Sequence, residues 1–284
     1  MKAMRYSQAS MKTPTTEPAP VCGPESLPIG CVPESVAVSH LESESAAAPI
    51  GGGLDVARIR AITLDLDDTL WPIWPTIARA ESVLQQWLSE HAPATAAICA
   101  APGALREVRQ HMHEYRPDLA HDMSALRRES IRLVLNRAGN DPALAEPAFE
   151  VFFAERQRVD FFDDAMPALA FLAARYPLVA LSNGNADVHR VGIGAHFKGA
   201  ISARSLGVGK PDRRIFEAGA AAAGVAPDEV LHIGDDAHLD GVGALRAGMQ
   251  VAWVNREAQA WAHAPLVPQV TVSRLTQLCA LLEG

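Results

Sequence analysis

The most constraining feature of this chain is a short apolar run that ends in a cluster of carboxylates. Residues 62–64 form the run, and Asp65, Asp67 and Asp68 follow within four positions. The run predicts a buried β-strand, and because unpaired buried charge is very costly, the acids are expected just past its carboxyl end. Ligands bind at that edge of open α/β sheets, and hard oxygen ligands of this kind suit magnesium. An acidic turn after a core strand is the alternative interpretation of this segment taken alone.

Length and composition limit the classes of protein that fit. The chain has 284 residues, nearly half of them apolar, which is enough for one large domain or for a core with a smaller domain. A formal net charge of −8 argues against a general nucleic-acid binder, and no stretch approaches the length of a membrane-spanning helix. The cysteines show no metal-ligand spacing, which predicts free thiols in a reducing cytoplasm. They are Cys22, Cys31, Cys99 and Cys279.

The first 54 residues differ from the rest of the chain. They are rich in Pro, Ser, Glu and Ala, they show no hydrophobic period, and three glycines stand near their end. This composition predicts a disordered leader or linker. No apolar segment follows the few basic residues at the start, so a secretory signal is not expected.

Predicted strands and helices alternate from about residue 163 onward, which is typical of a doubly wound parallel sheet. The strands are predicted at 62–64, 178–181, 200–202, 230–233, 250–254 and 269–272. The helices are predicted at 165–176, 212–223 and 241–247. Between about residues 72 and 160 only helices are predicted, at 76–91, 107–115, 124–138 and 147–159. This insertion predicts a second, all-α domain.

Four segments follow one another in the order of one superfamily's motifs. The segment from Asp65 to Thr69 resembles the first motif of the haloacid dehalogenase-like (HAD) hydrolases, and 178–184 is similar to the second. Lys210-Pro211 resembles the third motif, and 231–240 resembles the fourth. The resemblance spans roughly residues 58 to 280 and is looser between 72 and 160. It implies a Rossmann-like α/β core with a helical cap of the C1 type. The implied domains are a core of 55–73 and 161–284, a cap of 74–160, and a leader of 1–54.

The resemblance also implies a role for each motif residue. Asp65 would be the nucleophile that forms an aspartyl-phosphate, and Asp67 would act first as general acid and then as base. Lys210 would stabilise the phosphoryl oxygens together with Asp65. The implied sites are catalytic Asp65, Asp67, Ser182 and Lys210; substrate-binding Thr69, Asn183 and Gly184; and, for Mg²⁺, Asp65, Asp235 and Asp67 through its backbone carbonyl.

Several other residues are weaker candidates. Asp240 is preferred as an indirect ligand of the metal, whereas Asp236 is equally well interpreted as a solvated turn residue. His232 lies inside a predicted strand and is expected to be a core histidine. In the insertion, some basic side chains could face a substrate, although most are expected to be solvated. They are His111, His113, Arg116, His121, Arg127 and Arg128.

Chemistry separates the members of this superfamily. Dehalogenases lack an aspartate at the position of Asp67, and phosphonatases need a cap lysine, whereas residues 72–160 contain none. The remaining expectation is a cytoplasmic, Mg²⁺-dependent phosphatase acting on a small phosphorylated metabolite, such as a sugar phosphate, a nucleotide or FMN. It would be a monomer or homodimer, without nucleic-acid or membrane partners. A phosphomutase and a catalytically silent binding protein on the same fold are the alternatives.

Overall fold

A computed structural model describes residues 53–101 and 103–283. Nearly all of the predicted leader, with Cys22 and Cys31, lies outside the described residues. Six strands form a single parallel sheet in the order β3-β2-β1-β4-β5-β6. In chain order they are β1 (Ala61–Leu64), β2 (Leu178–Ser182), β3 (Gly199–Ser202), β4 (Val230–Gly234), β5 (Gln250–Val254) and β6 (Val270–Val272).

Helices connect the strands, and the first five along the chain follow β1. These are α1 (Ile73–His91), α2 (Pro93–Ile98), α3 (Ala104–Tyr115), α4 (Met123–Arg137) and α5 (Ala145–Arg156). The others are α6 (Ala165–Ala173), α7 (Val188–Val191), α8 (Ala203–Leu206), α9 (Arg213–Ala223), α10 (Gly243–Ala247) and α11 (Leu275–Glu283). The predicted α/β fold with a doubly wound parallel sheet is thereby confirmed.

Strand β1 lies where the strand order reverses. It pairs with β2 on one side and β4 on the other, so that Leu64 stands opposite both Ala180 and Ile233. All three strands are completely buried, which explains their continuous apolar character. Side chains that follow these strands therefore meet in the crevice at the carboxyl edge, where open α/β sheets bind ligands.

The two faces of the sheet pack against different helices. Ile62 and Leu64 join a cluster that includes residues of α6 and α11, such as Leu169 and Leu278. Ala61, which points to the other face, joins a cluster with Phe216 of α9 and residues of α10. Because side chains alternate along a strand, the four residues of β1 serve both layers.

The helices of the insertion have a hydrophobic cluster of their own. Leu84 and Leu88 of α1 pack with Ile131 of α4 and with Phe149 and Phe152 of α5. This cluster is distinct from the two clusters that cover the sheet. The boundaries of the cap, 74–160, stay a prediction.

Some elements differ from the sequence prediction. Helices α2, α7, α8 and α11 were not predicted; the first three are at most six residues long and offer too few periods to detect. The helix predicted from residue 241 is preceded by a π-helical turn, Ala237–Val242, whose first amides are capped by Asp236. Within the described ranges, no helix has both the length and the apolar character needed to cross a bilayer.

Candidate active site

Asp65 is fixed at the carboxyl end of β1. Its backbone N–H donates to the carbonyl of Ile233 in β4 at 2.9 Å, which continues the strand pairing by one residue. The residue is 7% exposed, in agreement with its predicted place just beyond a buried strand. The tight turn that follows includes Asp68 in the left-handed region at φ 58°. Asp68 Oδ1 then accepts the backbone N–H of Ile73 at 2.8 Å, at the start of α1.

Lys210 contacts the side chain of Asp65 at this edge of the sheet. Its Nζ donates to Asp65 Oδ1 and, at 2.6 Å, to Asp240 Oδ1. Asn183 holds the lysine backbone, because Asn183 Oδ1 accepts its N–H at 2.7 Å and Asn183 Nδ2 donates to its carbonyl at 2.8 Å. Burial acts to lower the pKa of Lys210, but the two carboxylates outweigh it and raise that pKa. The structure thus brings the predicted pair Asp65 and Lys210 into direct contact.

Three carboxylates gather around this contact. One oxygen from each of Asp65, Asp235 and Asp240 lies within 4.8 Å of the others. Thr69 Oγ1 donates to Asp235 Oδ1 at 2.9 Å and lies 3.5 Å from Asp65 Oδ2. Burial is the main cause that raises the pKa of Asp235 to about 7, and the negative charge of Asp240 acts in the same direction. The hydrogen bond from Thr69 acts to lower that pKa. Burial likewise raises the pKa of Asp65, against the opposing effect of Lys210.

Asp240, rather than Asp236, belongs to this cluster. Asp236 Oδ1 accepts the backbone N–H groups of His238 and Leu239 and so caps the π-helical turn. The turn directs Asp240 back into the site, where it is 1% exposed. Burial acts to raise the pKa of Asp240, but Lys210 and His232 outweigh it and hold that pKa below its usual range.

His232 supports Asp240 from inside the sheet. Its Nε2 lies 3.1 Å from Asp240 Oδ1, and its Nδ1 lies 2.9 Å from Thr63 Oγ1. A carboxylate only accepts hydrogen bonds, so Nε2 carries the ring proton and Nδ1 accepts from Thr63. Burial lowers the pKa of His232, which favours the neutral ring. The expected core histidine therefore orients a carboxylate of the site.

The carboxylate of Asp67 points away from this cluster. Arg156 Nη2 donates to its Oδ1 at 2.6 Å and lies 2.8 Å from its Oδ2, and Trp71 Nε1 donates to Oδ1 at 2.7 Å. Arg156 ends α5 and is 1% exposed. No periodicity or motif marks this arginine, which is 89 residues distant from Asp67 in sequence. Its contact was therefore missed by the sequence analysis.

Ser182 and Gly184 adjoin Asp67. Ser182 ends β2 and is 3% exposed, and its Oγ accepts the backbone N–H of Gly184 at 2.9 Å. A Cβ placed on Gly184 would lie 2.5 Å from Asp67 Oδ2 and 3.3 Å from Ser182 Oγ. A residue with a side chain would thus intrude on the contact between the first and second motifs, and glycine leaves this space open.

The basic side chains of the insertion that were predicted as candidates lie in different surroundings. Arg127 lines a cavity together with Asp67 and Gly184, whereas Arg128 pairs with Glu146 and Glu150. The other basic candidates do not line this cavity. Arg116 pairs with Asp118. His111 is exposed and lines a separate cavity with Trp74, whereas His113 and His121 line a cavity that includes Lys210.

The donor set of the carboxylate cluster fits a divalent cation. Three carboxylates face one ammonium group, so that two negative charges remain for an ion to neutralise when all three acids are ionised. All the side-chain donors are hard oxygens, which suit Mg²⁺. The side chain of Asp67 is not part of this cluster, so its predicted ligation through the backbone carbonyl stays a prediction.

This arrangement agrees with comparisons to known proteins. The family model of the haloacid dehalogenase-like hydrolases matches residues 59–248. The chain belongs to this family. The prediction of an enzyme of the HAD family is therefore confirmed.

Relatives within the HAD family include both phosphatases and dehalogenases. The 5-amino-6-(5-phospho-D-ribitylamino)uracil phosphatase YigB of Escherichia coli (strain K12) is 33% identical over 235 residues, which are 80% of this chain and 98% of that protein. The phosphoserine phosphatase of Thermus thermophilus is 36% identical over 136 residues, and the match covers 46% of this chain and 55% of that protein. A crystal structure described as a 2-haloacid dehalogenase from Pseudomonas syringae pv. Tomato DC3000 has a TM-score of 0.73 and 37% identity, and the match covers 79% of this chain and 98% of that one.

Proposed function

We propose that this HAD-family hydrolase is a Mg²⁺-dependent phosphatase that cleaves small phosphate monoesters through an aspartyl-phosphate at Asp65. One observation carries the proposal. Buried Asp65 is hydrogen-bonded to Lys210 at the carboxyl edge of the sheet, beside Asp235 and Asp240 and two residues before Asp67. It supports the proposal because Asp65 would be the nucleophile, Lys210 a fixed positive charge beside it, and Asp67 a second carboxylic acid on the same turn.

The first step is the transfer of the phosphoryl group to Asp65. A carboxylate oxygen of Asp65 forms a bond to phosphorus while the bond from phosphorus to the ester oxygen breaks. Asp67, in its protonated form, gives its proton to that leaving oxygen. Lys210 and the Ser182 hydroxyl stabilise the charge on the phosphoryl oxygens; the hydroxyl proton is available because Ser182 Oγ serves as acceptor for Gly184.

The second step regenerates the enzyme. Asp67, now a carboxylate, takes a proton from water as the water oxygen bonds to phosphorus, and the bond to Asp65 breaks to release phosphate. Arg156 and Trp71 hold the Asp67 carboxylate in place between the two steps. Asp65, Asp235 and the Asp67 carbonyl would hold Mg²⁺, with Asp240 beside them. When bound, the ion would offset the repulsion between the anionic nucleophile and the anionic ester.

Asp67 also favours a phosphatase over a dehalogenase. Displacement of halide requires no proton donor, whereas an alkoxide leaving group does. The chain places a carboxylic acid two residues after the nucleophile and holds it with two donors from separate elements. This supports phosphatase chemistry even though several similar structures are described as dehalogenases.

The substrate class and the cap are further parts of the proposal. Residues 74–160 would form a cap that covers the site, excludes water and selects the ester, over a core formed by 55–73 and 161–284. A sugar phosphate, a nucleotide or an FMN-like ester is the proposed class of substrate, and the phosphatases among the relatives support small phosphorylated metabolites. A cytoplasmic monomer or homodimer without nucleic-acid partners is proposed from the composition and the negative charge.

The proposal is tested by assaying the purified protein with p-nitrophenyl phosphate and with 2-chloropropionate, each with Mg²⁺ and with EDTA. We expect phosphate release that needs Mg²⁺ and is lost in Asp65→Asn, with no halide release. Halide release without phosphate release would establish the dehalogenase instead. Interconversion of phosphosugar isomers with little free phosphate would identify a phosphomutase, and the absence of all turnover would favour a binding protein.

A further inference from the structure

A cavity of about 210 Å³ extends from the proposed general acid into the helices of the insertion. Asp67 and Gly184 line it at the active site, and Trp74, Arg109, Arg127 and Phe152 line it on the side of the insertion. The group that leaves phosphorus departs next to Asp67, because that residue protonates it in the proposed mechanism. The cavity is therefore the space for the leaving group.

Positive charge exceeds negative charge in the walls of this cavity. Glu81 is shared by two arginines, since its Oε1 lies 2.9 Å from Arg127 Nη1 and 3.8 Å from Arg109 Nη1. The third arginine, Arg156, is bound to Asp67. Three guanidinium groups thus face two carboxylates.

The arginines also have unused donors. The guanidinium of Arg109 makes no hydrogen bond within the described ranges, and in that of Arg127 only Nη1 makes one there. Arg156 is 1% exposed, and its Nε and Nη1 are buried without an acceptor in the part of the chain that the structure describes. Buried donors are normally paired, so the two unpaired donors of Arg156 beside the cavity indicate a missing acceptor.

Burial makes this concentration of charge costly. Arg127 is 4% exposed and packs its guanidinium 4.1 Å from the ring centre of Phe152. Burial, and then the charge of Arg109, lowers the pKa of Arg127 to about 10. An anion that entered the cavity would relieve the repulsion between the arginines and supply the missing acceptor.

We propose that Arg109 and Arg127 form a subsite for a second anionic group, a carboxylate or phosphate, carried by the leaving group of the substrate. This inference rests on the proposed phosphatase function and narrows its substrate class. The cavity volume is below the roughly 300–1,000 Å³ of pockets for drug-sized ligands, so the cavity suits a small leaving group. Trp74 and Phe152 contact its carbon atoms, and the arginines select its charge.

The test compares two esters of matched size, 3-phosphoglycerate and glycerol 3-phosphate, with p-nitrophenyl phosphate as a general substrate. The wild type is expected to prefer the carboxylate ester by about tenfold or more in kcat/KM, the effect of a hydrogen bond between charged groups. Arg109→Gln should reduce that ratio toward one. Arg128→Gln is the matched control, because Arg128 lies next to Arg127 on α4 but pairs with Glu146; both substrates should be turned over as in the wild type.

A second variant changes the ratio in the opposite direction. Glu81→Gln removes the carboxylate that the two arginines share, so the preference for the anionic ester should increase, which damage to the fold would not produce. A wild-type ratio near one, or a ratio that neither variant alters, with p-nitrophenyl phosphate still hydrolysed, would overturn the subsite and leave the phosphatase intact. If no ester is hydrolysed, the proposed function and the subsite both fail.

Discussion

Replacing Lys210 by methionine tests the electrostatic organisation of the site. The side chain is buried and its Nζ bonds both Asp65 and Asp240, so its removal leaves two buried carboxylates, with Asp235 nearby, without their positive partner. Removing one partner of a buried ion pair costs about 3–5 kcal/mol. We expect Lys210→Met to lower the free energy of unfolding by this amount at pH 7 in EDTA, and to abolish most of the turnover.

The measurement is urea unfolding followed by circular dichroism, with EDTA and with Mg²⁺. Mg²⁺ should restore part of the loss, because ion binding stabilises the fold by about 2.7 kcal/mol when the ion is present at about a hundred times its Kd. Lys198→Met is the control: among the described residues its Nζ donates to the carbonyl of Ala223 alone, at 2.9 Å, and its loss should cost about 1 kcal/mol. A loss below about 1 kcal/mol in Lys210→Met, the range of an exposed pair, would refute the buried contact.

Three further perturbations test separate features. Hydrogen bonds from the side chain and backbone of Arg214 lower the pKa of Asp212 to about 2. The wild type should therefore be more stable than Asp212→Ala above about pH 4, and this difference should disappear as the pH falls toward about 2. Thermal unfolding of both proteins across that pH range is the measurement. Arg156→Met should lower kcat about tenfold or more, because it releases the Asp67 carboxylate. Arg156→Lys should recover part of that loss. An unchanged kcat in Arg156→Met would contradict the role of Arg156 in positioning Asp67. Burial raises the pKa of the Cys279 thiol to about 11, so iodoacetamide at pH 8 should modify this thiol far more slowly in the folded protein than in urea. Peptide mass spectrometry would locate and quantify the modification. Equal rates in the two conditions would show that the thiol is exposed.

The sheet and the position of its acids could be predicted because they depend on local pattern. Short apolar runs identify buried strands, and parallel strands place the residues that follow them at one edge. Asp65, Ser182 and Asp235 therefore meet for reasons visible in the sequence. Their spatial neighbour Lys210 was predicted from its resemblance to a motif.

The remaining contacts depend on geometry that no local pattern encodes. Asp240 joins the cluster because a π-helical turn, in which the N–H groups of Asp240 and Gly241 both bond the carbonyl of Asp236, rotates it back toward the sheet. Arg156 reaches Asp67 because α5 ends above the first motif, and charge spacing along the chain does not show this. The apolar spacing of α11 was visible in Leu275, Leu278 and Leu282, but short C-terminal segments are weak signals on their own.

The most direct test of the account is to detect the phosphoryl group on Asp65. The protein is mixed rapidly with p-nitrophenyl phosphate and Mg²⁺, quenched in cold acid, digested and analysed by mass spectrometry. We predict a phosphorylated peptide in which the modification lies on Asp65, and none in Asp65→Asn, which should also lack turnover. Phosphate release by Asp65→Asn at a rate close to that of the wild type, or a phosphoryl group on another residue, would contradict the proposed mechanism.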